Sequence, residues 1–205
     1  MMTKVRDFFW PVLDRPTACE FDELKRSEHD DIERIQATGW TAESELALQE
    51  ARRLASEEDD RRKTAESKAS NLLIVAAALI PLLTYLETAI WAGNLEAAPR
   101  SLTLPVLAVA VAYLGNAGWW AFQAIGVGSY HCVYPIDLVK IWRAGKVVQR
   151  RLVVEMLVAI RRNQEVINRK VSASKMTHAF LLRAIFAFST LLLVRIAFGL
   201  SSILK

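Results

Sequence analysis

Few side chains in this 205-residue chain are of types that do chemistry, and they are scattered. There are three histidines, His29, His131 and His178, and two cysteines, Cys19 and Cys132. His131-Cys132 is an adjacent pair of metal-ligand types. Zinc takes four ligands, however, and no further His or Cys cluster supplies them, so neither a metal nor any other cofactor is expected. There is no Walker loop, no GxSxG elbow and no glycine-rich nucleotide fingerprint. Glu66 and the carboxylates around it fall on a charged helical stretch and read as a solvated face. The chain therefore reads as a non-enzyme. Two cysteines make no disulfide framework, and both fall in segments expected to lie in the reducing cytosol.

The most informative ionisable groups are those inside apolar runs. Glu87 and Arg195 each lie about 16 residues into such a run, a similar depth if both runs are membrane helices entered from the same side. Charges at that depth are costly and usually paired, so a Glu87–Arg195 ion pair is expected, within one chain or between copies. The competing reading has each side chain reaching alone to the outer headgroups. Gly115, Asn116 and Gly118 form a second polar or small cluster. Glycines let helices approach closely and asparagine can bond across the gap, so helix packing is the expected role.

These residues need helices that span a bilayer. A hydrocarbon core ~30 Å thick takes about 20 helical residues. Three stretches qualify: Asn71 to Ala92, Leu102 to about Gly126, and Ala179 to about Leu200. Lipid offers the backbone no hydrogen-bond partners, so each is expected to be a helix. Pro81 is a candidate kink in the first. The link Gly93–Ser101 has Arg100 as its one cation, whereas residues 130–178 carry ten Lys/Arg against Asp137, Glu155 and Glu165. Arg61, Arg62, Lys63 and Lys68 precede the first span. The positive-inside rule then puts the N-terminus and residues 130–178 in the cytoplasm, and the short link and tail outside. Near the start, Pro11 interrupts a run too short for a signal peptide, so an uncleaved N-terminus is expected.

The fold class expected is all-α, an integral membrane protein with three transmembrane helices and long cytoplasmic helices continuing into the membrane. Residues 1–70 form an acidic helical arm, with 12 basic against 17 acidic side chains. Residues 71–129 hold the first two spans, 130–178 a basic cytoplasmic helical hairpin, and 179–205 the third span and tail. Within the arm, residues 20–38 read as a helix closed by Gly39. Thr41 then caps a helix from Ala42 that meets no breaker until Pro81. Glu57–Arg61, Glu58–Arg62 and Asp59–Lys63 are acid-to-base i,i+4 pairs in the favourable direction. In the hairpin, Pro135 suits a first helical position and Gly145 a turn. Lys146 to Thr177 then reads as one amphipathic helix. The acidic and basic helices can lie parallel. The cations Arg150, Arg151, Arg161, Arg162, Arg169, Lys170 and Lys175 are expected to fix topology and pair with acidic groups, or to meet anionic lipid.

The segment before the first span reads Asp59-Asp60-Arg61-Arg62-Lys63-Thr64-Ala65-Glu66-Ser67-Lys68-Ala69-Ser70-Asn71-Leu72-Leu73. It resembles the acid-x-Lys-Ala-x-x-Leu-Leu start of small bacterial membrane effectors from anti-phage systems, the SLATT-type and Pycsar-type transmembrane effectors. Asn163-x-x-x-x-Asn168-Arg169-Lys170, ahead of the last span, is similar to the same families. The resemblance implies an inner-membrane protein that assembles into a homo-oligomer and disrupts the bilayer on a signal. A third span and the long acidic arm depart from the two-span pattern. The alternative is a membrane scaffold or sensor that recruits a cytosolic protein through its helical arm. A transporter subunit is the weakest reading, because one acid and little internal repeat give no substrate path. Membrane lipids are expected partners and nucleic acid is not.

Overall fold

The computed structural model describes residues 18–40, 43–91, 99–126, 128–143 and 148–203, with no side chains described at 86, 87, 89–91, 100 and 199–203. Every element among the described residues is a helix: α1 (Ala18–Ala37), α2 (Ser44–Trp91), α3 (Arg100–Ile125), α4 (Pro135–Arg143) and α5 (Val148–Ile203). The all-α class is therefore as expected. Helix α2 runs unbroken through Pro81, and α5 carries the amphipathic stretch and the third apolar stretch as one helix. Helices α2, α3 and α5 are each long and apolar enough to cross a membrane.

Local chemistry sets the helix ends. Helix α4 starts with Pro135, whose missing N–H would have been unsatisfied there anyway. Asp137, two residues on, accepts the Tyr134 N–H at 3.3 Å, the reach-back of a capping box. At the end of α1, the Thr38 amide and hydroxyl both donate to the Arg34 carbonyl, and the Trp40 indole N–H donates to the Ile35 carbonyl at 2.8 Å. The bonds that close α1 thus come from Thr38 and Trp40, on either side of the expected Gly39 cap, and Trp40 itself has φ 24°. The expected caps and turns at Thr41, Ala42 and Gly145 lie outside the described residues.

The chain divides into two compact units. The first gathers Glu66–Gly126 and Ser172–Lys205. Its interior is a set of stripes with three- and four-residue steps. Helix α2 contributes Ala69, Leu72, Ala76, Leu79 and Leu83. Helix α3 contributes Ala110, Leu114, Ala117, Ala121 and Ala124. Helix α5 contributes Ala173, Met176, Phe180, Ala184, Phe188 and Leu191. This spacing keeps one face of each helix turned inward. Alanine dominates the α3 stripe, so that backbone can be approached closely, and Phe180, Phe188 and Leu191 fill the remaining volume.

Outside the stripes, the surface of this unit is apolar. Ile74, Ile80, Val111, Phe122, Phe186, Leu193 and Ile196 are all exposed. In the most apolar windows of α2, α3 and α5 only 11, 22 and 39% of the residues are buried. The hydroxyls on these helices bond back to their own backbone: Thr84 to Ile80, Thr88 to Thr84, Ser189 to Ile185 and Thr190 to Phe186. Such bonds leave each hydroxyl satisfied without water.

The second unit gathers Asp14–Ala65 and Val127–Val171. Two contacts fix how its long helices run. Ser44 donates to Gln149 at 2.6 Å, and Arg61 donates to Asn168 at 3.0 Å. Both sequence numbers rise together between the contacts, so α2 and α5 run parallel here, as expected. The acid-to-base pairing is only partly as expected. Lys63 pairs with Asp59 at 2.6 Å. Arg61 instead turns to Glu58 and Arg62 to Asp59, one step short of the expected partners, and Glu57 is taken by Arg53. Four consecutive acids followed by three bases offer several pairings of nearly equal energy, each worth about 0.2–0.5 kcal/mol. The Lys63 ammonium beside Asp59 also holds that carboxyl below the usual aspartate range.

Candidate functional site

The most distinctive chemistry of the second unit gathers around Tyr130. Gly128 passes close to α5 here: a Cβ at that position would lie 3.1 Å from Val166 Cγ1, a tight contact to which the valine side chain would have to yield. Asn163 of α5 then clips the loop at His131. Its amide donates to the His131 carbonyl at 2.7 Å, and its oxygen accepts the His131 N–H at 2.8 Å. One side chain satisfies both backbone groups of one residue, as a neighbouring strand would.

The clip sets the Tyr130 ring between two cations from different helices. The Arg62 guanidinium lies 4.7 Å from the ring centroid and the Lys170 ammonium 5.6 Å. Both fall within the ~6 Å range in which the ring quadrupole attracts a cation. Lys170 is only 5% exposed. Glu58 Oε2, Arg62 Nε and the Tyr130 hydroxyl are buried with no hydrogen-bond partner. Two of these atoms, Arg62 Nε and the Tyr130 hydroxyl, belong to the stacked pair. The junction ties α2, the Tyr130 loop and α5 together at one level.

A cleft of about 390 Å³ has Glu58 and Arg61 in its lining. Ile35, Trp40, Leu54, Leu157 and Ile160 form its apolar walls, and Arg161 and Gln164 stand among its polar groups. Arg161 is held by Asp31 of α1 at 2.8 Å. Small-molecule sites are typically clefts of about 300–1,000 Å³ with apolar walls and a few polar groups, a description this cleft fits. A second, more polar groove has Lys140, Arg150 and Arg151 in its lining, with Asp137 and Glu155 among them.

The residues singled out from the sequence are distributed unevenly over these features. Arg150 and Arg151 face the basic groove, and Arg161 the apolar cleft. Arg162 and Lys175 are exposed. Arg169 pairs with Glu165 on its own helix. Lys170 is buried, with its ammonium over the Tyr130 ring. Asn116 does not bond across to another helix but donates to the Ala112 carbonyl of its own helix at 2.9 Å. Gly115 and Gly118 are not at a close contact within the chain, since a Cβ at either meets nothing within 4 Å. The close packing of α3 instead uses Ala110, Ala117, Ala121 and Ala124, on a different face from Gly115. Arg195 is half-buried, and the Glu87 side chain lies outside the described residues, so the expected pair does too. Arg183 donates back to the Ala179 carbonyl at 2.8 Å, toward the start of its helix.

His131 and Cys132 bring no third ligand with them: no group of three His, Cys, Asp or Glu side chains able to hold a metal occurs among the described residues. Both cysteines are exposed free thiols. Sequence reasoning missed Tyr130 as the centre of the junction. Asn163 and Asn168 were visible as a spaced pair, but their partners, His131 and Arg61, lie too far away in sequence for spacing to reveal. No protein-family model, curated protein or solved structure matches the chain.

Proposed function

We propose that the chain is a non-enzymatic protein of a bacterial inner membrane. Three helices thread the bilayer from the cytoplasmic side, and copies assemble into an oligomer that perturbs the membrane on a signal. The observation that carries the reading is the apolar exterior of the first unit. Its most hydrophobic windows are mostly uncovered, whereas a water-soluble domain buries such surface. Hydroxyls bonded back to their own helices support the same conclusion. The resemblance of residues 59–73 and 163–170 to anti-phage membrane effectors supports the perturbing role. Parts of those two stretches meet in the second unit, where Arg61 bonds Asn168. The cytoplasmic assignment of the second unit rests on the excess of cations flanking the spans.

The test is induced expression in a bacterial host, with and without phage challenge, while a potential-sensitive dye reports the membrane. Depolarisation under challenge is the expected result. Full potential throughout, with the protein present in the membrane fraction, would remove the effector role.

A second reading, recruitment of a cytosolic protein by a membrane scaffold, is favoured by the apolar cleft walled by Ile35, Trp40 and Leu54. It predicts a stable complex without ion leak. Trp40→Ala would weaken partner capture, whereas the effector reading predicts unchanged capture.

A further inference from the structure

Helix α4 carries an apolar surface that none of the described residues covers. Tyr134, Ile136, Leu138, Val139 and Trp142 are exposed by 55, 60, 42, 43 and 68%, while Ile141 alone is buried. Ile136, Val139 and Trp142 follow one another at three-residue steps along one side of the helix. Lys140 and Arg143 border that side. The one carboxylate, Asp137, is engaged by the Tyr134 N–H and by Lys140. An apolar face with tryptophan and tyrosine beside cations is the composition of helices that lie in a membrane interface.

We propose that α4 lies in the plane of the cytoplasmic headgroup layer, its Ile136–Val139–Trp142 side sunk ~5–10 Å toward the acyl chains. This rests on the membrane reading above. Continuity supports the bilayer as occupant, since only residues 126–134 separate α4 from the end of α3, the expected cytoplasmic end of a span. Charge complementarity supports it too. Lys140 and Arg143 in the last turn of α4 present cations to anionic headgroups. The capped start and the anchored Ile141 hold a helix this short in shape before it meets lipid, which a free nine-residue peptide would not manage.

The test uses the full chain with Cys19→Ser and Cys132→Ser, reconstituted in vesicles of phosphatidylcholine and phosphatidylglycerol. Single nitroxide labels are placed through Val139→Cys, Val111→Cys on the exposed side of α3, and Gln49→Cys on an exposed site of α2. Collision rates with oxygen, which partitions into lipid, and with a water-soluble nickel chelate are measured. The expected result is an oxygen-to-nickel ratio at 139 and 111 severalfold above that at 49. A nickel-accessible label at 139 with an oxygen-accessible label at 111 would overturn the α4 placement and leave the spans standing. A label at 139 shielded from both reagents would overturn it in favour of a protein-covered face. A nickel-accessible label at 111 would overturn the spans themselves, and the placement of α4 with them.

Discussion

Tyr130 holds two like charges near one ring, and the cost of removing it depends on which part is removed. Tyr130→Leu takes away the face that Arg62 and Lys170 share and leaves a buried ammonium without it. A loss of about 1–2 kcal/mol is expected, read from denaturant unfolding in detergent. Tyr130→Phe keeps the ring and deletes a hydroxyl that has no partner, so stability should hold or rise slightly. Asn163→Ala breaks both bonds of the His131 clip. At about 0.5–1.5 kcal/mol per bond, the loss should be measurable, with faster hydrogen exchange at the His131 amide. Asn163→Asp keeps the acceptor but turns a carboxylate oxygen toward the His131 carbonyl, so its loss should at least equal that of Asn163→Ala. Asp59 provides the pH dependence. Lys63 hydrogen-bonds its charged form, so the folded-state pKa lies below the ordinary 3.8. The stabilisation is therefore complete above the ordinary value and disappears as pH falls through the depressed one. A carboxyl titration followed by NMR should find Asp59 protonating below an unpaired aspartate, and Lys63→Gln should return it upward.

At the scale of elements, the two kinds of small residue on α3 separate cleanly. Ala117 and Ala124 are fully buried, so Ala117→Leu or Ala124→Leu forces bulk into a closed seam. A loss of about 1–3 kcal/mol is expected in thermal unfolding of the purified protein. Gly115→Ala and Gly118→Ala meet open space within the chain, and should leave unfolding unchanged or shift it upward, as alanine favours a helix interior. Any effect of those two variants should appear instead in cross-linking between copies. The helices themselves were legible in the sequence because length, apolar content and Pro135 act locally. The parallel run of α2 and α5 was legible from charge and direction. Residue-to-residue pairing was not. Lys170 reads as one more surface cation until a ring forty residues earlier is brought over it. Asn116 reads as cross-helix glue because the sequence cannot say that the Ala112 carbonyl is the nearer acceptor. Gly115 and Gly118 draw attention by type, yet the packing face is set by the phase of the alanines.

At the scale of the whole molecule, the proposed topology is open to a direct check. Reporter tags inserted near residues 97 and 150 should appear on opposite sides of the membrane in intact cells. Finding both on one side would require a different threading of the chain. The seam of the first unit bears on how such a protein could make a membrane leak. Phe180, Leu181, Phe188 and Leu191 are each at most 3% exposed and occupy the space where its three helices meet. These side chains fill the seam at their own level. A leak whose path forms between neighbouring copies should make permeation rise with a steep power of the number of chains per vesicle, while capture of a partner by individual chains would rise in simple proportion. A dilution series in liposomes, read as a reaction order, would separate the two behaviours without any mutation.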